Sequence, residues 1–269
     1  MERSDYTEPN CPFDASMWTG TPEETVPVRR VMEKSDEFLS RDDFKAAEKH
    51  LLYWLESAEA FRDIRGAFFL HNELIGFYRK TGNEVRAAEE IAAAFSLTED
   101  ERIGRDNTGF ATLCVNAATA KKAFGHAEKA LPLFKQAQEI YERELKPDDG
   151  RLGGLYNNMA LAFADLEQWD DADAYFLKAI DVMSHVENGE LEQAISYLNL
   201  ADIQAEDDPK IEEYLDRAKK LLDTETLPRD SYYAFVADKC APVFEGYGRR
   251  EYAQELMKRK AEIIRQEEA

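Results

Sequence analysis

A chain of 269 residues with 44% apolar and 33% charged positions has the material for a core, and 55 acidic against 34 basic residues give a formal charge of -21. That balance excludes nucleic acid as a partner, because phosphate contacts come from lysine and arginine. It reads instead as a solvated face that maintains solubility, or as a complement to a basic partner.

No run of 18 apolar residues and no amino-terminal apolar segment with a cleavage site occurs, so the expected protein is cytoplasmic, without membrane span or signal peptide. The three cysteines, Cys11, Cys114 and Cys240, are odd in number and lack CxxC spacing, which suggests neither a disulfide framework nor a zinc site.

In chain order, residues 1–25 contain Pro9, Pro12, Gly20 and Pro22, a composition suited to an extended segment, with Phe13 and Trp18 available to dock on the first repeat. Residues 26–269 read as one helical domain. From Pro27 the apolar residues take helical spacing, with Val28, Val31, Met32, Ser35, Phe38 and Leu39 on one face. Helices then continue to the end, broken by short turns at Ser40–Asp43, Thr81–Asn83, Phe124–His126, Leu166–Gln168, Glu206–Pro209 and Tyr247–Arg249. Slightly longer polar joints fall at Thr98–Glu101, Lys146–Gly150, Val186–Gly189 and Leu227–Asp230. Asp148 or Asp149 is placed to cap one helix, and Asp230 or Ser231 another. No strand pattern is present, and the fold class is all-α.

A small residue recurs through this array at Ala47, Ala87, Ala130 and Ala172, then Ile211 and Ala253, with separations of 40, 43, 42, 39 and 42 residues. A fixed period of that size marks stacked helix pairs. The fourth copy is the fullest, with Tyr156, Met159, Ala160 and Phe163 on its first helix and Trp169, Ala172, Phe176 and Ala179 on its second. The small residues let helix backbones approach, while Phe163, Trp169 and Phe176 are expected to fill the space between pairs.

The third copy carries Cys114, Ala117, Ala118, Ala130, Phe134 and Ala137, and the sixth Ala237, Cys240, Ala241, Phe244, Gly248, Ala253 and Met257. The fifth copy is two residues short in its middle.

These residues resemble the tetratricopeptide repeat family, in the longer-period form similar to kinesin-light-chain repeats and widespread in bacterial proteins. The resemblance implies a right-handed α-solenoid of about six helix-turn-helix repeats, with the first helix of each lining a concave groove. It also implies a non-enzymatic scaffold that holds a protein or an extended peptide in that groove. Alternatives are a peptide-responsive regulator acting through a separate effector protein, and a homo-oligomeric structural protein such as a homodimer.

Asn116, Asn158 and Asn199 each stand one residue before the Leu place of the pattern in three consecutive copies, and Asn72 and Asn157 stand one place earlier in theirs. The family pattern turns these places to the groove, where an amide supplies both donor and acceptor to a peptide backbone. The competing reading is that they bond helix ends or the adjacent first helix. Arg79, Lys80 and Lys122 would make one end of the groove basic, and Asp165, Asp202 and Glu206 the other acidic, unless they only complement helix dipoles. Glu73, Val115 and Asn157 stand where a carboxylate clamp would need cations, so that mode is not expected.

No catalytic constellation is found. The four histidines are scattered, Glu89–Glu90 and Asp170–Asp171 read as helix surface, Cys114 and Cys240 as core, and Cys11 as the one thiol in contact with solvent. Neither cofactor nor metal is expected.

Overall fold

The computed structural model describes residues 25–267, in which twelve helices and no strand occur. The expectations for the N-terminal segment, including Cys11, Phe13 and Trp18, lie outside the described residues. The chain divides into two compact units, 1–144 and 145–269.

The first unit holds α1 (Val28–Leu39), α2 (Phe44–Phe61), α3 (Ile64–Lys80), α4 (Glu84–Leu97), α5 (Thr108–Ala123) and α6 (Ala127–Glu144). The second holds α7 (Gly150–Asp165), α8 (Trp169–Met183), α9 (Glu190–Asp202), α10 (Lys210–Leu222), α11 (Ser231–Gly246) and α12 (Arg250–Glu267). Each unit is therefore three helix pairs, in which every pair packs internally and α3 meets α5, α7 meets α9, and α9 meets α11.

The turns inside the pairs share one solution. In five of them a residue in the left-handed region, Asp42, Gly82, Gly125, Glu167 or Gly248, reverses the chain. The next residue donates its N–H to the carbonyl five positions back: Asp43 to Phe38, Asn83 to Tyr78, His126 to Lys121, Gln168 to Phe163 and Arg249 to Phe244, all at 2.8–2.9 Å. These bonds satisfy carbonyls that the helix end would leave open. Three of the five use glycine, for which a positive φ carries no Cβ penalty.

The sixth turn departs from the expected short form. It runs from 203 to 209 between two helices of 13 residues each, so the brevity of the fifth copy lies in its helices and its connection is long.

Capping follows the sequence closely. Asp43, Asp63, Asn83, Asn107, Asp149 and Asp230 accept backbone N–H groups at the starts of α2, α3, α4, α5, α7 and α11. Asp63 also accepts from Val26 N at 2.9 Å, tying the lead-in to α3. A Cβ on Gly66 would come within 2.5 Å of that carboxylate and 2.9 Å of the Val26 side chain, so a larger residue there would displace this contact.

The recurring residues Ala47, Ala87, Ala130, Ala172, Ile211 and Ala253 are all buried, as are Phe163 and Phe176. Trp169 is not: it opens α8 and stays 50% exposed, so the filling role expected of it is not met. Met257, in a repeat place of the sixth copy, is 41% exposed on α12.

Candidate functional site

The geometry of the first helices follows from one rotation. Leu74, Ala117, Met159, Leu200 and Cys240 are buried in the core. The residue before each, Glu73, Asn116, Asn158, Asn199 and Lys239, is turned by about 100° to the rim of the helix. Asn116, Asn158 and Asn199 are half-buried there.

The asparagines do not stand apart from one another. Asn116 Nδ2 donates to Asn72 Oδ1 at 3.1 Å, joining α5 to α3. Buried Asn72 in turn donates to the Phe68 carbonyl at 3.0 Å. In the second unit Asn199 Nδ2 donates to Asn157 Oδ1 at 3.1 Å, and Ser196 Oγ donates to the same oxygen at 3.0 Å, joining α9 to α7. Asn158 differs, because its Nδ2 donates to the Gly154 carbonyl of its own helix at 3.0 Å. Each rim amide thus uses one of its two N–H donors within the protein, and their Oδ1 atoms accept no hydrogen bond among the described residues.

Arg79 and Lys80 are exposed in the last turn of α3, about two turns beyond Asn72. Lys80 Nζ lies 5.7 Å from the Phe44 ring centroid. Lys122 is half-buried in the last turn of α5. All three cations sit where a helix dipole favours positive charge.

One sequence expectation is overturned by burial. Glu90 is not a surface residue but 5% exposed, with Oε2 held 2.6 Å from His71 Nδ1 and Oε1 3.6 Å from Arg86. Arg86 also donates to Tyr78 Oη, which donates to Glu48 at 2.8 Å. Burial raises the Tyr78 phenol to about 12, with Arg86 opposing and Glu48 adding. This network joins α2, α3 and α4.

Cys114 and Cys240 are buried and pushed up to about 12 by burial, so neither is a thiolate at neutral pH. Among the described residues no group of three or more His, Cys, Asp or Glu could hold a metal ion.

The aromatic pair Tyr232 and Phe235 on α11 was not among the site residues expected from sequence. Both are exposed, with rings stacked at 6.1 Å. The signal was available in their spacing: together with Lys239 they follow i, i+3, i+7, offset from the core positions Tyr233, Val236, Ala237 and Cys240.

Stacked helix pairs with this register define an all-α helical-repeat protein. Solved structures of proteins with repeats of the tetratricopeptide-like kind share this fold. BtubC (BKLC) from P. vanneervenii matches with a TM-score of 0.65 at 22% identity, over 76% of this chain and 85% of that one. MamA, residue 41 to the end, from Desulfovibrio magneticus RS-1 matches with a TM-score of 0.51 at 15% identity, over 74% and 96%. The Q17M form of a Podosopora anserina protein described as carrying nearly identical kinesin-light-chain TPR-like repeats gives 0.50 at 17%, over 74% and 94%. No protein-family model and no curated protein matches the sequence.

Proposed function

We propose that the protein is a non-enzymatic scaffold that holds an extended peptide, or an extended segment of a partner protein, against its first-helix faces. The observation that carries this reading is the repeated state of Asn116, Asn158 and Asn199: each is fixed by its own donor and presents an open oxygen at the helix rim. Acceptors held in this way would receive peptide N–H groups without a further cost of ordering the side chain. In this reading Asn72 and Asn157 orient their neighbours Asn116 and Asn199, while Arg79, Lys80 and Lys122 attract acidic groups to the first unit. A short peptide held by such contacts binds with a Kd on the order of micromolar.

Asn158 provides the cleanest test, because its amide bonds only within α7 and its removal does not unpin two helices. Wild type and Asn158→Ala, matched for helicity and Tm, would be used to capture partners from a native lysate. A partner lost by the variant supports recognition along the row; equal recovery by both removes the row from recognition.

A second reading, self-association through the last repeat, draws on Met257 and Ile264, 41% and 39% exposed at i, i+7 on α12. Sedimentation velocity across a concentration series tests it, and a monomer at every concentration rejects it.

A further inference from the structure

Within the second unit α9 and α11 are pinned to each other at both ends by tyrosine–carboxylate bonds. Tyr232 Oη donates to Glu192 Oε1 at 2.7 Å near their N-terminal ends. Tyr247 Oη donates to Asp202 Oδ1 at 3.0 Å near their C-terminal ends. Two pins in the same order along both chains make the helices parallel neighbours, and Asn199 and Lys239 fall between the pins.

The two ends of this strip differ in chemistry. At the first, Tyr232 and Phe235 are 45% and 53% exposed, their rings stacked, with Lys239 Nζ 4.9 Å over the Phe235 ring. Aromatic surface left in water is area that a large apolar side chain would cover favourably. At the second end Asp202 reaches solvent, but protein atoms crowd its carboxyl and raise its pKa above the ordinary aspartate value, against the opposing bond from Tyr247. No lysine or arginine pairs with Asp202 among the described residues, and exposed Glu206 and Glu245 follow and precede the same end. A partly desolvated carboxylate without a countercharge is stabilised by an arriving cation. The aromatic end holds both a carboxylate, Glu192, and a cation, Lys239, whereas the other end holds Asp202, Glu206 and Glu245 with no cation paired to Asp202 among the described residues, so the cation is assigned to Asp202.

We infer that the strip between α9 and α11 takes an extended basic peptide segment, an aromatic or large apolar side chain seated at Tyr232 and Phe235 and a lysine or arginine at Asp202. The inference rests on the scaffold reading and names the ligand class for one part of it. Twelve residues of helix separate Phe235 from Tyr247, roughly 18 Å at 1.5 Å per residue. An extended chain covers that length in about five residues.

The test uses the full chain and a labelled six-residue peptide, phenylalanine first and arginine last with glycine and serine between, followed by fluorescence anisotropy. Parallel peptides carry glutamate in place of arginine or alanine in place of phenylalanine. The arginine peptide should bind about tenfold more tightly than either control, and Asp202→Asn and Phe235→Ala should each weaken it by about tenfold. Asp202→Asn keeps an acceptor for Tyr247, and Phe235 is exposed, so unchanged Tm in both variants shows that the fold is intact.

Equal binding of arginine and glutamate peptides, no binding of the arginine peptide, or wild-type affinity in either variant overturns the inference. A native partner lost on Asn158→Ala alongside any of those results keeps the scaffold and removes the basic ligand class.

Discussion

At the scale of single residues, the asparagines separate into two kinds that a sequence cannot distinguish. Asn116 and Asn199 donate across to the preceding first helix, whereas Asn158 donates only to its own. A net hydrogen bond between half-buried amides is worth about 1 kcal/mol. Asn116→Ala and Asn199→Ala should therefore each lower stability by about 1 kcal/mol in urea unfolding, and Asn158→Ala by less than about 0.5 kcal/mol. Equal losses at all three would mean that the cross-helix bonds do not stabilise the stack. The row itself was legible, because register with the buried Leu place fixes which residue lies on the rim. Its bonding was not, because the partners Asn72 and Asn157 are 44 and 42 residues away and nothing local selects them over solvent. Glu90 reads as helix surface for a related reason: in the pair Glu89–Glu90 one carboxylate is drawn inward by His71 on the neighbouring helix, a contact with no local signature.

At the scale of elements, turn and packing each carry a separable energy. The left-handed residue in the within-pair turns is glycine at 82, 125 and 248, and a Cβ built on Gly125 meets nothing within 4 Å. Gly125→Ala therefore isolates the backbone cost of a positive φ, and should destabilise by about 1–2 kcal/mol with no change in helix content. Ala172 is fully buried where α8 meets its neighbours, and Ala172→Leu should cost about 1–3 kcal/mol by overpacking. A neutral effect there would mean that the junction has room the static packing does not show.

The last three helices meet at a polar cluster. Asp223, just after α10, accepts from Lys219 Nζ at 2.8 Å, Arg259 Nη1 at 2.7 Å and Tyr252 Oη at 3.0 Å, and Arg259 also reaches Tyr233 on α11. Burial raises the Asp223 carboxyl, but these bonds outweigh it and hold its pKa below the ordinary value. A pKa lowered in the folded state gives stability that is present above the unfolded value, near 3.9, and lost as pH falls through the folded one. Asp223→Asn should thus cost about 1–2 kcal/mol at neutral pH, with the gap to wild type closing as the carboxyl protonates. A gap constant from pH 7 to about 2.5 would show that the carboxylate charge contributes nothing.

At the scale of the whole molecule, the period of the small residues made the architecture legible, since only stacked pairs bury a core that repeats every 39 to 43 residues. What remained illegible were the places where the repeat is interrupted. Trp169 fits the pattern yet opens a helix and is 50% exposed, and Met257 fits it yet is 41% exposed. Charge is the remaining molecular property, and it acts against compactness. The chain carries 55 acidic against 34 basic residues. Many of its ion pairs, such as Arg29–Glu33 and Arg217–Glu213, are solvent-exposed i,i+4 contacts worth only a few tenths of a kcal/mol. Self-repulsion at a net charge of -21 should therefore outweigh them, and both are weakened by salt. Raising sodium chloride from about 20 to 150 mM shortens the screening length from roughly 20 to 8 Å, a range too low for large ion-specific effects. Tm should rise, by about 2–4 °C if the relief is worth about 1 kcal/mol. A fall in Tm would mean that pairing dominates repulsion, and would point to the less exposed Arg249, bonded at once to Glu212 and Asp216, as the contact that salt weakens.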